Sequence, residues 1–291
     1  MKIIFLGTAS SKPSPDRNPS CIALLRLREV ILFDCGEGCQ RQMLRNVKQS
    51  RIKRIFITHF HGDHYLGLPG LLMTMSLNGR EDPIEIYGPE GTREFIKNML
   101  ISGYMDISYD ILVTEIGDDL IDFNGYSIRS FPVDHGIPAL GFVFIENDRR
   151  GNFDREKARK LGIKGKMFAK LEKDGELIIN GKTVKIDDLT GITKKGKKIT
   201  YSGDTRPIQF PMETKGSNVL IHEATFMNPE ERGDTFHSTV REACESAVSM
   251  GAGLLVITHI NSRYDKEAIE EEANRYFNGA VVAYDLFEIE I

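Results

Sequence analysis

The chain has 291 residues, of which 41% are hydrophobic and 27% charged, and its net charge is −4. Those values exclude a disordered chain and one that depends on disulfide staples, and no apolar run approaches membrane-spanning length. The four cysteines (Cys21, Cys35, Cys39, Cys244) form no CxxC pair, which predicts a reducing, cytoplasmic setting over a thiolate metal site.

Residues 2–6 predict a first strand, because the apolar run Met1-Lys-Ile-Ile-Phe-Leu6 stops at Gly7, too soon for a leader peptide. A loop rich in Ser, Pro and Asn runs to Ser20, and strands follow at Cys21–Leu27 and Val30–Phe33. Asp34-Cys-Gly-Glu-Gly38 leads into a helix carrying Gln40, Arg41, Gln42 and Met43. Asp34 can either orient a ligand histidine from behind or cap that helix.

A buried strand at Ile55–Ile57 then runs into His59-Phe-His-Gly-Asp-His64. Side chains at i and i+2 of an extended chain share a side, so His59 and His61 converge. Gly62, which tolerates positive φ, is expected to make the turn that returns Asp63 and His64 to them. Three imidazoles and a carboxylate without thiolate suit zinc, iron or manganese. Four such groups in six residues exceed the needs of one ion with an open position and point to two.

Leu66, Leu68, Leu71, Leu72, Met73, Met75 and Leu77 predict a helix apolar on more than one face, either deeply buried or covered by a second subunit of a homodimer. Strand Ile84–Tyr87 and a helix from Pro89 to about Leu100 follow. Several strands lie between Ile107 and Phe144, the last interrupted by Pro132-Val-Asp-His135. Residues 147–198 change character. From Asn147 to Thr200 there are 16 Lys+Arg against 8 Asp+Glu, so a segment of +8 sits on a remainder of −12. Such asymmetry points to a polyanionic partner, with a solvated insertion as the bland alternative. The segment predicts a short helix at Asp154–Leu161 and a hairpin at Glu176–Ile186 turning at Asn180-Gly181. It reads as an inserted arm with a small core from Leu161, Met167, Phe168, Leu171 and Leu177.

The body resumes at strand Lys198–Ser202 with Gly203-Asp-Thr205 after it. Strand Val219–Ile221 ends at His222-Glu-Ala-Thr225, and Thr239–Met250 predicts a helix preceded by His237. Strand Leu254–Ile257 ends at Thr258-His259, and a helix from Asp265 to about Tyr276 precedes two closing strands. All seven histidines lie beside turns or strand ends, and putting ligands at strand ends is the habit of layered α/β folds.

These pieces together resemble a known family. His59-Phe-His-Gly-Asp-His64, His135, Ser202-Gly-Asp-Thr205 and Thr258-His259 are similar to the successive metal motifs of the metallo-β-lactamase superfamily. Gly7-Thr-Ala-Ser-Ser11, Asp34-Cys-Gly-Glu-Gly38, His222-Glu-Ala-Thr225, His237-Ser-Thr239 and Thr258-His-Ile-Asn-Ser-Arg-Tyr264 resemble the signatures of the tRNase Z family, the tRNA 3′-processing endoribonucleases. The resemblance implies one domain over 1–291, an α/β fold of the four-layer αβ/βα sandwich type, with residues 147–198 as a protruding arm. It implies two zinc ions, with manganese or iron as substitutes: His59, His61 and His135 on one, Asp63, His64 and His259 on the other, and Asp204 bridging. Asp63 is expected to act also as the base, His237 as general acid and Glu223 as the carboxylate that orients and charges it. His237 and Glu223 could instead be a helix cap and a buried polar group.

The family's arm grips precursor tRNA, and here Lys164, Lys166, Lys170 and Lys173 are the candidate phosphate contacts. The arm departs from the family's Gly-Pro-Leu-Tyr-Gly type segment, reading Gly165-Lys-Met-Phe-Ala169. The family also works as a homodimer. Two other classes stay open on the motifs of the metal loop alone: a hydrolase such as a glyoxalase II-like thioesterase, small-molecule phosphodiesterase or sulfatase, and a non-catalytic RNA-binding or metal-storing protein. A thioesterase has no use for a +8 arm, and a pure binder has no need of Asp63.

Overall fold

The computed structural model describes residues 1–179 and 181–291. The chain divides into two compact units, one formed by Met1–Ile145 with Lys198–Ile291 and the other by Glu146–Lys197.

The larger unit is built on two seven-stranded sheets. The first runs Glu288–Glu290, Lys2–Gly7, Cys21–Arg26, Glu29–Phe33, Ile52–Phe56, Ile84–Gly88, Ile111–Glu115 from edge to edge. The second runs Val281–Val282, Leu255–Thr258, Val219–Glu223, Lys198–Tyr201, Leu140–Glu146, Tyr126–Pro132, Leu120–Phe123. In each sheet four neighbouring strands are parallel, from Glu29–Phe33 to Ile111–Glu115 in the first and from Lys198–Tyr201 to Val281–Val282 in the second.

Strand alternation assigns each residue a layer. Ile3, Phe5, Ile31 and Phe33 of the first sheet meet Phe142, Phe144, Ile199, Tyr201, Val219 and Ile221 of the second between the sheets. Their neighbours Ile4, Leu6, Leu32 and Ile55 point outward under the helices Cys39–Asn46, Leu68–Leu77 and Thr92–Ser102. Leu220, Leu255 and Ile257 point outward on the other side, against Val240–Met250 and Lys266–Asn274. The order is therefore helix, sheet, sheet, helix. Each fully buried Leu, Ile or Phe contributes roughly 1.5–3 kcal/mol relative to exposure, so these three apolar layers hold the unit together without cross-links.

Individual elements follow their sequence. Val240–Met250 begins with a capping box between Thr239 and Glu242, buries Ala243, Cys244, Ala247 and Met250 along one face, and ends at Gly251 with φ of 63°. The apolar stretch after His64 is two helices, Gly62–Tyr65 and Leu68–Leu77. Leu68, Leu71, Leu72 and Met75 face the core while Leu66, Met73 and Leu77 remain exposed, so its second apolar face is uncovered within the chain.

The smaller unit contains helices Arg155–Lys160 and Lys166–Asp174 and strands Glu176–Ile179 and Lys182–Lys185. Ala158, Ile163, Leu171, Leu177, Val184, Ile186 and Leu189 form its own core. The hairpin lies where expected and Gly181 has φ of 77°; Asn180 lies outside the described residues. Helix Lys166–Asp174 was not foreseen, since its two-turn pattern is short and begins at Gly165-Lys. Among the described residues no helix is long and apolar enough to cross a membrane.

Candidate metal centre

The groups that carry chemistry leave the sheets where strands end. Strand Ile52–Phe56 delivers His59 and His61, Tyr126–Pro132 delivers His135, Lys198–Tyr201 delivers Asp204, and Leu255–Thr258 delivers His259. The turn after His61 differs from expectation: Gly62 is not left-handed but opens the helix Gly62–Tyr65, and this helical turn brings Asp63 and His64 back. The strained backbone lies elsewhere, with Ser11, Asp34 and His259 all at φ between 53° and 59°. Non-glycine residues in that region cost about 1–3 kcal/mol each and persist where surrounding contacts force them.

The expected ligands do come together. The candidate donor atoms of His59, His61 and His135 lie within 4.8 Å of one another, as do those of Asp63, His64, Asp204 and His259. His61 Nδ1 is 3.0 Å from His59 Nε2 and 2.9 Å from His135 Nε2. Asp204 Oδ2 lies 3.2 Å from both His64 Nε2 and His259 Nε2, and 3.9 Å from both His59 Nε2 and His135 Nε2. It therefore reaches both groups. Asp63 Oδ2 is 3.4 Å from His259 Nε2 and 3.5 Å from His64 Nε2, and it accepts the Ser11 N–H at 2.9 Å.

The other ring nitrogens show why these atoms point inward. His64 Nδ1 donates to Asp34 at 2.7 Å, and Asp34 also accepts Thr58 N–H at 2.8 Å and the Tyr201 hydroxyl at 2.9 Å. The helix after Gly38 has no side-chain cap, so Asp34 orients the histidine and does not cap. Thr58 Oγ1 donates to Asp34 and so receives His59 Nδ1–H at 2.9 Å. By the same logic Thr225 Oγ1 donates to Glu223 and receives His259 Nδ1–H at 2.8 Å. His135 Nδ1 donates to the Phe236 carbonyl at 2.8 Å. Carboxylate, hydroxyl and carbonyl acceptors thus engage Nδ1 of His59, His64, His135 and His259 and leave their Nε2 atoms facing the cluster, whereas His61 turns its Nδ1 toward it.

Burial holds the pKa values of His59, His61 and His135 below the ordinary imidazole range, so these rings stay neutral. Burial also opposes ionisation of Asp63 and Asp204, but neighbouring His259 and His64 outweigh it and hold both carboxyls below the usual range. Asp204 and Asp34 in turn outweigh burial and push the His64 imidazole well above its ordinary range, so the facing carboxylates call for positive charge among them, a proton on His64 or cations in its place. Asp204 Oδ1 and His64 Nε2 are moreover buried without a hydrogen-bond partner among the described residues. The donor set fits metal ions of the nitrogen- and oxygen-loving kind.

Beside this cluster lies a second arrangement. Glu223 is fully buried and accepts Thr205 N–H (3.1 Å), Ser238 N–H (2.9 Å) and Thr225 N–H (2.9 Å). Its Oε1 also lies 3.0 Å from His237 Nδ1, and His237 Nδ1 is 4.0 Å from Asp204 Oδ2. Burial disfavours a charged His237, yet the hydrogen bond and charge of Glu223 prevail and push its pKa up to about 9. His222, one residue earlier in the strand, points to the opposite face. It is buried against Phe210 with Nδ1 on the Glu223 carbonyl, so it stays out of the cluster.

Thr58, Thr225, Tyr201, Ser11 and the Phe236 carbonyl were not foreseen. Ser11 and Thr225 close two of the quoted signatures and Thr58 adjoins the metal loop, but each is an ordinary residue type whose orienting role the pattern does not disclose. Lys164, Lys166, Lys170 and Lys173 lie in the smaller unit, all exposed, with the last three on one helix at i, i+4 and i+7.

Comparison with known proteins accords with this architecture. Residues 1–118 match the family described as anti-Pycsar protein Apyc1, and residues 180–260 the beta-lactamase superfamily domain. The crystal structure of human tRNase Z, short form, superposes with a TM-score of 0.73 at 28% identity, covering 100% of this chain and 99% of that one. Ribonuclease Z of Pyrococcus horikoshii is 46% identical over 295 residues, spanning 100% of this chain and 96% of its own length. The Methanosarcina mazei protein of the same name is 42% identical over 300 residues, spanning 100% and 98%. With identity of this order along the whole length and the histidine and aspartate cluster in place, the chain belongs to the ribonuclease Z family and has its metallo-β-lactamase fold.

Proposed function

We propose that the chain is a metal-dependent endoribonuclease that removes the 3′ trailer of precursor tRNA. It cuts after the discriminator base, leaving a 3′-hydroxyl on the tRNA and a 5′-phosphate on the trailer. The observation that carries this reading is the buried Glu223–His237 pair beside a seven-residue donor cluster in a ribonuclease Z chain. Cleaving a ribose leaving group needs an acid, and a thioester does not.

His59, His61 and His135 would hold one zinc ion, Asp63, His64 and His259 a second, and Asp204 both; manganese or iron would accept the same donors. Two such ions supply Lewis-acid charge neutralisation at the phosphodiester and a lowered pKa for the attacking water. The chain's own residues do the rest. Asp63, a carboxylate held ionised, takes the proton of that water. The water oxygen forms the new bond to phosphorus as the bond from phosphorus to O3′ breaks. His237, with Nδ1 engaged by Glu223, gives its Nε2 proton to O3′, and Glu223 supports the imidazolium until then.

The smaller unit is read as the exosite that grips tRNA phosphates through Lys164, Lys166, Lys170 and Lys173. The exposed side chains of Leu66, Met73 and Leu77 support a homodimer in which a second copy covers them, and a precursor-tRNA substrate supports a cytoplasmic enzyme. Incubation with a 3′-extended tRNA and sequencing of both product ends tests the reading. A single cut immediately 3′ to the discriminator supports it, and an uncut transcript, or cuts scattered along the trailer, refutes it.

A further inference from the structure

The loop that carries His237 is held in an unusual way. Residues Gly233–Phe236 are exposed and contribute nothing to the core, yet the next residue must place a proton. Arg206 spans the gap. Its backbone N–H donates to the Asp134 carbonyl at 2.9 Å, which anchors it beside His135. Its Nε donates to the Thr235 carbonyl at 2.9 Å and its Nη2 to the Asp234 carbonyl at 2.6 Å. Its guanidinium carbon lies 4.4 Å over the Phe236 ring. The Phe236 ring in turn packs on Gly136, where a Cβ would come within 2.9 Å of it, and the Phe236 carbonyl accepts His135 Nδ1–H. One side chain therefore grips three consecutive residues immediately before His237, and its own backbone follows Asp204 by two positions.

We infer that Arg206 is a positioning residue for proton donation: its planar fork and stacking face fix the segment Asp234–Phe236 so that His237 meets O3′ of the departing ribose. This rests on His237 being the acid of the proposed reaction. Glu223 sets the charge of the imidazole, Thr225 Oγ1 lies 3.3 Å from the same Nδ1, the His259 ring stacks beside it, and Ser238 after it is held by Glu223 and the Thr205 carbonyl, but none of these reaches the exposed segment before it. The backbone that bears it must be fixed as well. Lysine is a poor replacement here, because its ammonium is a point charge on a flexible stem and cannot reproduce two donations from a planar fork while lying flat on the Phe236 ring.

The test uses the full-length, metal-loaded enzyme and two 3′-extended tRNAs, one ordinary and one with sulfur in place of the bridging O3′ at the scissile bond. A thiolate leaves without protonation, so the sulfur substrate makes the acid dispensable. Arg206→Lys is expected to lower kcat on the ordinary substrate roughly tenfold with KM unchanged, against roughly 10²–10⁴ for His237→Ala. Both losses should largely vanish on the sulfur substrate. The double variant should be no slower than His237→Ala alone, because the two act as one unit.

A loss in Arg206→Lys of equal size on both substrates, a raised KM with unchanged kcat, full additivity, or no effect would each overturn the inference. Failure of the underlying reading looks different: His237→Ala itself would then remain defective on the sulfur substrate. Phe236→Leu, which removes the stacking face and leaves the carbonyls, serves as a second variant and should show the same substrate-selective loss in milder form. Equal metal content and melting temperature across the variants check that each is folded.

Discussion

Asp34→Asn isolates the role of a residue that touches no substrate. The Asp34 carboxylate is wholly buried and accepts four donors: Thr58 N–H, Thr58 Oγ1, His64 Nδ1–H and the Tyr201 hydroxyl. Asparagine has the same shape, and Thr58 N–H at Oδ1 fixes which end keeps the oxygen. The amide NH2 must then face His64 Nδ1, 2.7 Å from the atom it replaces. Two donors cannot meet there, so His64 is forced into the tautomer with its proton on Nε2, the nitrogen that faces Asp204 and Asp63. A protonated nitrogen binds no metal. Loss of such an orienting partner costs roughly 10–100-fold in metal affinity, or about 1.4–2.8 kcal/mol. The Tyr201 hydroxyl loses its acceptor too, a cost to folding of roughly 1–3 kcal/mol. Competition titration against a chelator, together with a thermal melt of the metal-free protein, reads the two effects separately. Wild-type metal affinity in Asp34→Asn would refute the reasoning, because the tautomer argument allows no neutral outcome.

Three further predictions bear on the reaction and the arm. Asp63→Ala is expected to abolish cleavage while leaving tRNA binding in a filter assay intact; a variant that still cuts at the normal rate contradicts the base assignment. As the proposed acid His237 would act only when protonated, and its pKa is pushed up to about 9, so the rate should hold below that value and fall as pH rises through it. That alkaline limb should be missing from the pH profile of His237→Ala, and its persistence would assign it to another group. Replacing Lys166, Lys170 and Lys173 by Glu should raise KM for tRNA and flatten the dependence of log binding constant on log salt by roughly 2–3, while hydrolysis of a small activated phosphodiester stays unchanged. An unaltered salt slope would show that this helix face meets no phosphate.

Much of the centre was legible because metal chemistry restricts residue types. His59, His61, Asp63 and His64 announce themselves by density and His135 and His259 by their places after strands, while Asp204 was singled out by the resemblance alone. The two-sheet sandwich was carried by the resemblance more than by periodicity, since an alternating strand and helix order fits several layered folds. What could not be read was how the ligands are oriented. Thr58 and Thr225 relay a carboxylate to an imidazole through one hydroxyl each, and a threonine beside a motif looks like any other. The two roles open to Asp34 were separated only by the absence of a side-chain cap at Gly38 and the bond to His64. Gly62 misled because glycine suggests a left-handed turn, whereas the geometry needed there is the first turn of a helix. Leu77, Met73 and Leu66 and the lysines of the smaller unit are exposed, so their roles rest on what they meet outside the chain.

The central claim is that seven side chains hold a pair of cations and that cleavage depends on both. Chelator-stripped protein titrated with zinc, with bound metal measured per chain and trailer cleavage followed in the same samples, tests it most directly. The account predicts no cleavage before zinc is added and a rate that reaches its plateau as occupancy approaches two per chain. Full activity in stripped protein, or a plateau already complete at one ion per chain, would contradict it.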